Sequence, residues 1–251
     1  MQANLVRQQQ ARSPWGLILG VGTALLMVAA LYLMFIYAPT DLVQGESQRI
    51  FYIHVPMAWV AYLSAFILFV ASIAFLWKGN QRWDRVGRAS AELALIFTTL
   101  VLVTGSLWGR PIWGTWWTWD ARLSSTLLLW FILLGYFMIR SYVGDPDRGA
   151  RYAAVVGIIG FLDVPIIHMS VTWWRTMHPE PIVVRAEGPN MPGEMVLALM
   201  VSLAAFTLLY AYLMYEKLAI ERAKDDIAAY RYAEAEREAD GGAREHEEAL
   251  V

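Results

Sequence analysis

Five of the twelve tryptophans in this 251-residue chain lie within one run of twelve residues. They are Trp108, Trp113, Trp116, Trp117 and Trp119. Tryptophan has a large apolar face and one N–H donor, so a cluster of indole rings suits a flat, partly apolar ligand. Tryptophan is also a common anchor at membrane surfaces, which is the alternative role for the run. Its glycine spacers and its terminal Asp120 exceed what an anchor requires, so we favour the ligand platform.

Histidines lie close to this run and to a second tryptophan pair. Three of the four histidines are near tryptophan-rich or membrane-edge segments: His54, His168 and His178. The pair Trp173-Trp174 lies between the last two of them and adds aromatic surface. One such histidine alone is typical of a structural residue at a membrane interface, whereas three together favour a role as ligands. The fourth, His246, is in an acidic tail and is expected to be solvated.

Imidazole nitrogen is a good ligand for iron, zinc and copper. The chain has no cysteine and few acidic residues near these histidines. It therefore offers too few ligands for a closed zinc site, which needs four. Two opposed imidazoles above an aromatic floor instead suit a planar metallocycle such as heme, whose iron takes axial ligands from both sides. Heme propionates need cationic or N–H donors. The candidate cations are Arg49, Arg110, Arg122 and Arg175.

Acidic residues near the predicted spans have simpler expected roles. Asp120 is expected to cap the following helix or to pair with Arg122. Glu92 is expected to cap its helix or to reach the membrane surface. Asp163 lies inside a predicted span, where an ionisable group is costly and often functional, unless it is close enough to the surface to be hydrated.

The elements that must position these residues are predicted to be membrane helices. The chain is 58% hydrophobic and only 17% charged, against roughly 45–50% and 25% in soluble domains. Apolar stretches of bilayer-spanning length recur. They predict an all-α bundle of six transmembrane helices in membrane lipid, with no nucleic-acid partner. The spans are expected near residues 15–37, 55–77, 92–108, 123–139, 152–168 and 195–215, the third and fifth being shortest.

The basic residues predict the orientation of this bundle. Fifteen Lys and Arg fall in the N-terminus, two loops and the tail on one side, against five on the other. The positive-inside rule then places both termini in the cytoplasm and the tryptophan loop, about residues 108–122, outside. Residues 1–215 form the membrane domain in this interpretation, and 216–251 form a charged cytoplasmic tail. The tail is expected to continue the sixth helix and to be disordered over its last dozen residues.

Several motifs resemble those of a known family. The segment from Trp113 to Arg122 is similar to the tryptophan-rich WWD signature of heme-handling proteins in cytochrome c maturation. The flanking motifs resemble the heme exporter protein C (CcmC) family, and they are Tyr52–Pro56, Thr104–Gly109 and Val164–His178. The resemblance covers about residues 15–215, and the tail lies outside it.

The resemblance implies a function and a set of ligands. Members bind heme b at the periplasmic face of the bacterial inner membrane, against the WWD segment, with axial ligands that fall on His54 and His178. His168 is not an axial position of the family, although the residues alone do not rank it below His178. Members promote covalent attachment of heme to the periplasmic chaperone CcmE, in an ABC-type complex with CcmA, CcmB and CcmD. They are not enzymes in the usual sense.

Three other functions remain open from the sequence: a transmembrane heme translocator, a heme lyase, and a structural subunit whose tryptophan loop only docks a neighbouring protein. A transmembrane heme translocator needs a polar path at mid-membrane, and most of the predicted spans have none. A heme lyase would act directly on apocytochrome c, but the larger lyases of this superfamily have many more spans and additional histidines.

Overall fold

A computed structural model describes residues 14–174, 176–178 and 188–248, with side chains described as far as residue 237. Its six long helices are each apolar enough to cross a membrane, which confirms the all-α, six-span prediction. They are α1 (Pro14–Tyr32, continued by a π-helical turn Leu33–Tyr37), α2 (Phe51–Lys78, preceded by a 3-10 turn Glu46–Ile50), α3 (Gln81–Trp113), α4 (Ala121–Tyr142), α5 (Pro146–Trp173) and α6 (Gly193–Glu248). No β-strand occurs in these described ranges.

Local sequence signals set most of the helix ends. The side chains of Asn80, Asp120 and Asp145 accept hydrogen bonds from backbone N–H groups in the first turns of α3, α4 and α5, which otherwise lack partners. Gly79 and Gly114 end α2 and α3 with φ angles of +62° and +75°. That left-handed conformation favours glycine because it carries no Cβ. Capping by Asp120 confirms the first of its two expected roles.

α2 lies at the centre of the bundle and packs against α3, α5 and α6. Its approach to α5 is close at Gly157, where an added Cβ would lie 2.8 Å from Ser72 Oγ and 3.1 Å from Leu68. Small residues commonly allow such close packing between membrane helices. α1 packs mainly along α6, so it does not separate α2 from the helices that carry the candidate ligands.

Two helices are longer than hydropathy indicated. α3 has 33 residues and α5 has 28, so the expectation that the third and fifth spans are shortest is wrong. α3 continues to Trp113, and the non-helical segment is only 114–120 rather than about 108–122. Hydropathy detects the apolar centre of a helix, whereas polar and tryptophan residues at its ends keep the same backbone hydrogen bonds.

The tail is helical rather than disordered as far as Glu248, so that part of the expectation is also wrong. α6 has 56 residues, which at about 1.5 Å per residue is far longer than the bilayer core. Its extension is held against α3. Lys217 pairs with Glu92 at 2.5 Å, and Arg88 pairs with Glu221 and with Asp225, both at 2.6 Å. Glu92 therefore forms an ion pair with α6 and does not cap α3.

The buried carboxylate of Asp84 is the centre of an ionic cluster that links three helices. The cluster lies at the end of the bundle where α1 begins and α6 extends beyond the other helices. Asp84 of α3 is 5% exposed. Its Oδ2 accepts from Arg88 at 2.8 Å and its Oδ1 accepts from Arg140 of α4 at 2.7 Å. Because Arg88 also binds α6, this cluster fixes α3, α4 and α6 at one end and leaves the opposite end to position the site.

Replacing Asp84 with Asn should lower the melting temperature of the purified protein. Two arginines would lose their shared anionic partner, and removing one member of a buried ion pair costs roughly 3 kcal/mol or more. Circular dichroism during heating of the detergent-solubilised protein measures the effect. Asp226→Asn is the matched control, because Asp226 is an exposed carboxylate on the charged extension of α6. Equal melting temperatures for the two variants would contradict the role of the cluster.

Candidate functional site

His54 is the ligand candidate with the most fully defined surroundings. It lies in the first turn of α2 and is 9% exposed. Its Nδ1 is 2.9 Å from Thr104 Oγ1 of α3, and its ring centroid is 5.7 Å from that of Trp108 in an edge-on arrangement. α3 therefore supplies both a polar partner and an aromatic wall.

Thr104 determines which nitrogen of His54 carries the proton. The threonine hydroxyl donates to the carbonyl of Leu100 at 2.7 Å, a common bond for a helical threonine. A hydroxyl has a single proton, so Thr104 accepts from the Nδ1–H of His54. The lone pair is then on Nε2, which is the form that a metal-binding imidazole requires.

Gly105 makes room for this ring. A Cβ at position 105 would lie only 3.1 Å from Cε1 of His54, closer than ordinary van der Waals contact. The pair Thr104-Gly105 therefore combines a hydrogen-bond partner with the absence of a side chain. This pair lies in a motif that resembles those of the family, but residue types alone indicate neither the hydrogen bond nor the space for the ring.

The structure brings His178 to the same end of the bundle. Its ring centroid is 6.3 Å from that of Trp113. Arg122 Nη1 is 3.2 Å from His178 Nδ1, and arginine can only donate, so Nδ1 is the acceptor. His54 has electrostatic interactions with both His178 and Arg122. Two imidazoles predicted as ligands, 124 positions apart in the sequence, thus lie close enough to interact electrostatically.

Arg122 connects α4 to the last turns of α5, at His168, and to the segment that carries His178. Its Nη2 donates to the backbone carbonyl of His168 at 3.0 Å, while its Nη1 binds His178. Its Nε is buried and has no hydrogen-bond partner among the described residues. Arg122 does not pair with Asp120 in the structure, because its guanidinium is directed to α5 instead. A cation with an unused donor beside two imidazoles can bind an anionic group of a ligand.

The tryptophans divide into two groups. Trp108 and Trp113 belong to α3, and Trp113 packs across Gly109, where an added Cβ would be 3.0 Å from its ring. Trp116 and Trp119 in the following segment are 57% and 79% exposed. Trp117 is half-buried, its centroid is 5.6 Å from that of Trp119, and its Nε1 has no partner within the described chain. The exposed rings provide an open aromatic surface that directly follows Trp113, whose ring lies beside His178, in the chain.

Gln44 is a site residue that sequence reasoning missed. Its Oε1 accepts from Trp108 Nε1 at 3.1 Å, and Trp108 in turn contacts His54. The two residues are 64 positions apart, and no local motif connects them, so no sequence signal could have found the contact.

Two arginines expected to bind an anionic group already have contacts elsewhere. Arg49 pairs with Glu46 at 2.5 Å and donates to the carbonyls of Met34 and Ala38, so it joins the end of α1 to the start of α2. Arg110 donates to the carbonyl of Gly114 and lies 6.0 Å from the centroid of the exposed Trp116 ring. Arg110 is exposed and adjoins the aromatic surface.

The remaining candidates belong to α5 or follow it in the sequence. His168 is exposed, and only its backbone carbonyl contacts Arg122. Trp173 and Trp174 are 56% and 51% exposed, and Arg175 lies outside the described residues. Asp163 is 6% exposed rather than hydrated, and its Oδ2 has no hydrogen-bond partner in the part of the chain that the structure describes.

The candidate metal ligands are the two imidazoles of His54 and His178, which suit a cofactor whose metal needs few bonds from the protein. No cluster of three or more His, Asp or Glu able to hold a metal ion occurs among the described residues. A structural zinc site requires four such ligands. Two imidazoles with surrounding indole rings instead match the axial and apolar requirements of a planar metallocycle.

Comparison with known proteins identifies the family. The model of the family described as "CcmC: Heme exporter protein C" matches residues 3–233, a range that includes every candidate site residue. The chain belongs to the heme exporter protein C family. It is 43% identical over 205 residues to heme exporter protein C of Bradyrhizobium diazoefficiens, covering 80% of this chain and 74% of that protein.

Two further relatives are similar over comparable lengths. Heme exporter protein C of Haemophilus influenzae is 37% identical over 191 residues, or 76% of this chain and 77% of that protein. A putative cytochrome c biosynthesis ccmC-like mitochondrial protein of Marchantia polymorpha is 36% identical over 181 residues, or 72% of this chain and 76% of the relative. The family membership thus rests on relatives from bacteria and from a plant organelle.

Replacing Gln44 with Met should loosen Trp108, whereas Gln44→Glu should not. Methionine has a similar length but lacks the accepting oxygen, so the indole N–H loses its partner, at a cost of roughly 1–3 kcal/mol. Hydrogen exchange of the Trp108 indole N–H, assigned by NMR with the help of Trp108→Phe, should be about tenfold faster in the Met variant. Unchanged exchange in Gln44→Met would contradict the positioning role.

Proposed function

We propose that this protein binds heme b between His54 and His178 and presents it for covalent attachment to the periplasmic chaperone CcmE. It would act in cytochrome c biogenesis as a subunit with CcmA, CcmB and CcmD. One observation carries the proposal. Imidazoles from α2 and from the segment after α5 lie at the same end of the bundle, that of His54 beside Trp108 and that of His178 beside Trp113. Membership in a family named for heme export supports heme as the cargo.

The two imidazoles would play unequal parts. His54 is buried, and Thr104 holds its proton on Nδ1, so its Nε2 is already suited to bind iron. His178 accepts from Arg122 at Nδ1 and therefore carries its proton on Nε2. Binding iron through Nε2 requires this hydrogen bond to change. His54 would thus be the fixed ligand and His178 the adjustable one, which suits a cargo that must later leave.

Arg122 would connect recognition of the heme carboxylates with ligation of its iron. If its guanidinium turned to bind a propionate, Arg122 would give up the hydrogen bond that now holds Nδ1 of His178. Charge-assisted hydrogen bonds to a carboxylate are stronger than a bond to neutral imidazole, which favours this exchange. Arg110, beside Trp116, provides a second cation at the rim of the aromatic surface.

The exposed tryptophans would cover one face of the heme while leaving it accessible. Trp116 and Trp119 are more than half exposed, so the surface resembles a shelf rather than a closed pocket. Bound heme supplies the reactive vinyl group and the iron, whereas this protein supplies binding, orientation and electrostatics. Openness on one side allows an acceptor protein to reach the heme edge.

Location in the bacterial inner membrane follows from the same proposal. The ionic cluster around Asp84 and the basic loops lie at the end that carries the α6 extension, and the positive-inside rule assigns that end to the cytoplasm. The histidines and exposed tryptophans then face the periplasm. This orientation matches a site that delivers heme outside the cell membrane.

Replacing His54 or His178 with Ala should lower heme affinity by roughly 10- to 100-fold. Each change removes a bond to iron while leaving the aromatic surface in place. The measurement is Soret absorbance per protein, in titrations of the purified protein with heme. His168→Ala is the control, because His168 is exposed and only its backbone contacts the site. Normal heme binding by the His54→Ala, His178→Ala double variant would rule out the axial assignment.

Single cysteines can test the orientation, since the chain has none of its own. Val43→Cys lies between α1 and α2, and Gly144→Cys lies between α4 and α5 at the opposite end of the bundle, where a Cβ has open space. A membrane-impermeant maleimide applied to intact spheroplasts should label position 43 at once and position 144 only after permeabilisation. The reverse pattern would place the histidines in the cytoplasm.

A further inference from the structure

The loop between α1 and α2 contains a turn, residues 41–45, that is closed by its own hydrogen bonds. The Asp41 carboxylate accepts from the backbone N–H groups of Val43 at 2.8 Å and of Gln44 at 2.7 Å. The N–H of Gly45 donates to the Asp41 carbonyl at 3.0 Å. Gly45 has a φ of +58°, which glycine adopts without strain. The tip of this turn is therefore ordered without any partner.

The tip carries two aliphatic side chains that touch almost nothing. Leu42 and Val43 are 103% and 93% exposed, the highest values for large hydrophobic residues in the part of the chain that the structure describes. Exposure of apolar side chains is normal on the lipid-facing sides of the helices. Here, however, the side chains extend from a loop beyond the end of α1. A turn that is rigid and apolar at its tip provides a contact surface at little entropic cost.

The tip is directly connected to the candidate site. Gln44, the next residue after Val43, accepts from Trp108 Nε1 at 3.1 Å. Trp108 packs edge-on against His54, with ring centroids 5.7 Å apart. A protein that contacts Leu42 and Val43 is consequently placed beside the aromatic surface on which the cargo would lie.

We propose that Leu42 and Val43 form a docking tip for an apolar patch on the periplasmic surface of the protein that receives the cargo. This inference rests on the proposed function, because it assigns the surface that the heme acceptor contacts. Burying both side chains against an apolar patch is favourable because it removes apolar surface from water. Such a small contact supports brief docking rather than a permanent complex, which suits transfer of the cargo and release of the acceptor.

The neighbouring residues disfavour lipid as the occupant. Asp41 is part of the turn itself, and Glu46 follows it with its side chain 68% exposed. Inserting the tip into the hydrocarbon layer would carry these carboxylates toward a region where charges are costly. The tip is better suited to a protein surface in water, where Asp41 and Glu46 remain hydrated.

The first experiment replaces the tip with polar residues in membranes that also contain the full-length heme chaperone. The Leu42→Ser, Val43→Ser variant should keep the heme content of the wild type but load the chaperone with covalent heme at least tenfold more slowly, as measured by heme staining of denaturing gels. The exchanged pair Leu42→Val, Val43→Leu keeps an apolar tip and should restore the wild-type rate.

Several outcomes would overturn the inference. Normal loading by the serine variant, in a protein that still binds heme, rejects the docking tip and leaves the proposed function intact. Loss of heme from the serine variant would show that the tip supports the site instead of docking a partner. A wild-type protein that neither binds heme nor loads the chaperone would reject the proposed function itself.

The second experiment identifies the occupant directly. Val43→Cys carrying a photoactivatable maleimide should cross-link to the chaperone, whereas Gly144→Cys at the opposite end of the bundle should not. Cross-linking of position 43 to lipid alone, or to a second copy of this chain, would overturn the assignment of the acceptor as the occupant.

Discussion

The contact between α2 and α3 at His54 is the constraint on which the site depends. A buried imidazole needs a polar partner, and Thr104 provides one while fixing the proton on Nδ1. The ring fits only because Gly105 has no side chain. One helix crossing thereby sets the position, orientation and tautomer of His54, and it places Trp108 against the same ring.

The two ends of the bundle are held by different kinds of interaction. At one end, buried ion pairs around Asp84, Arg88 and Arg140 join α3, α4 and α6. At the other end, most contacts around His54 and Trp108 are hydrogen bonds and aromatic packing, accompanied by the Arg49–Glu46 ion pair and by the hydrogen bonds of Arg122. Ion pairs hold helices in one arrangement, whereas the aromatic end retains unused donors such as Trp117 Nε1 and Arg122 Nε. Rigidity at one end and open bonding capacity at the other suit a protein that binds a ligand temporarily.

Arg122 and Gln44 show how neighbouring residues determine the hydrogen bonding around the two candidate histidines. Arg122 holds His178 through Nδ1, so the second imidazole is not in the same state as the first. Gln44 ties the first outer loop to Trp108. In the proposed function, recognition of the cargo, ligation of its metal and contact with an acceptor would be connected through the hydrogen bonds of these side chains.

The sequence by itself determined the helical class, the six spans and the residue types of the site. Apolar stretches of bilayer length leave few alternatives to helices, because lipid satisfies no backbone hydrogen bonds. It did not determine the length of α3, since tryptophan and proline near Trp113 look like a loop while the backbone remains helical. Only the tertiary structure decided that the ring of His178 lies with Trp113 and Arg122 while His168 offers Arg122 its backbone carbonyl, and that Gln44 contacts Trp108. Those contacts link positions far apart in the chain, and no local pattern of residue types encodes which distant side chains meet.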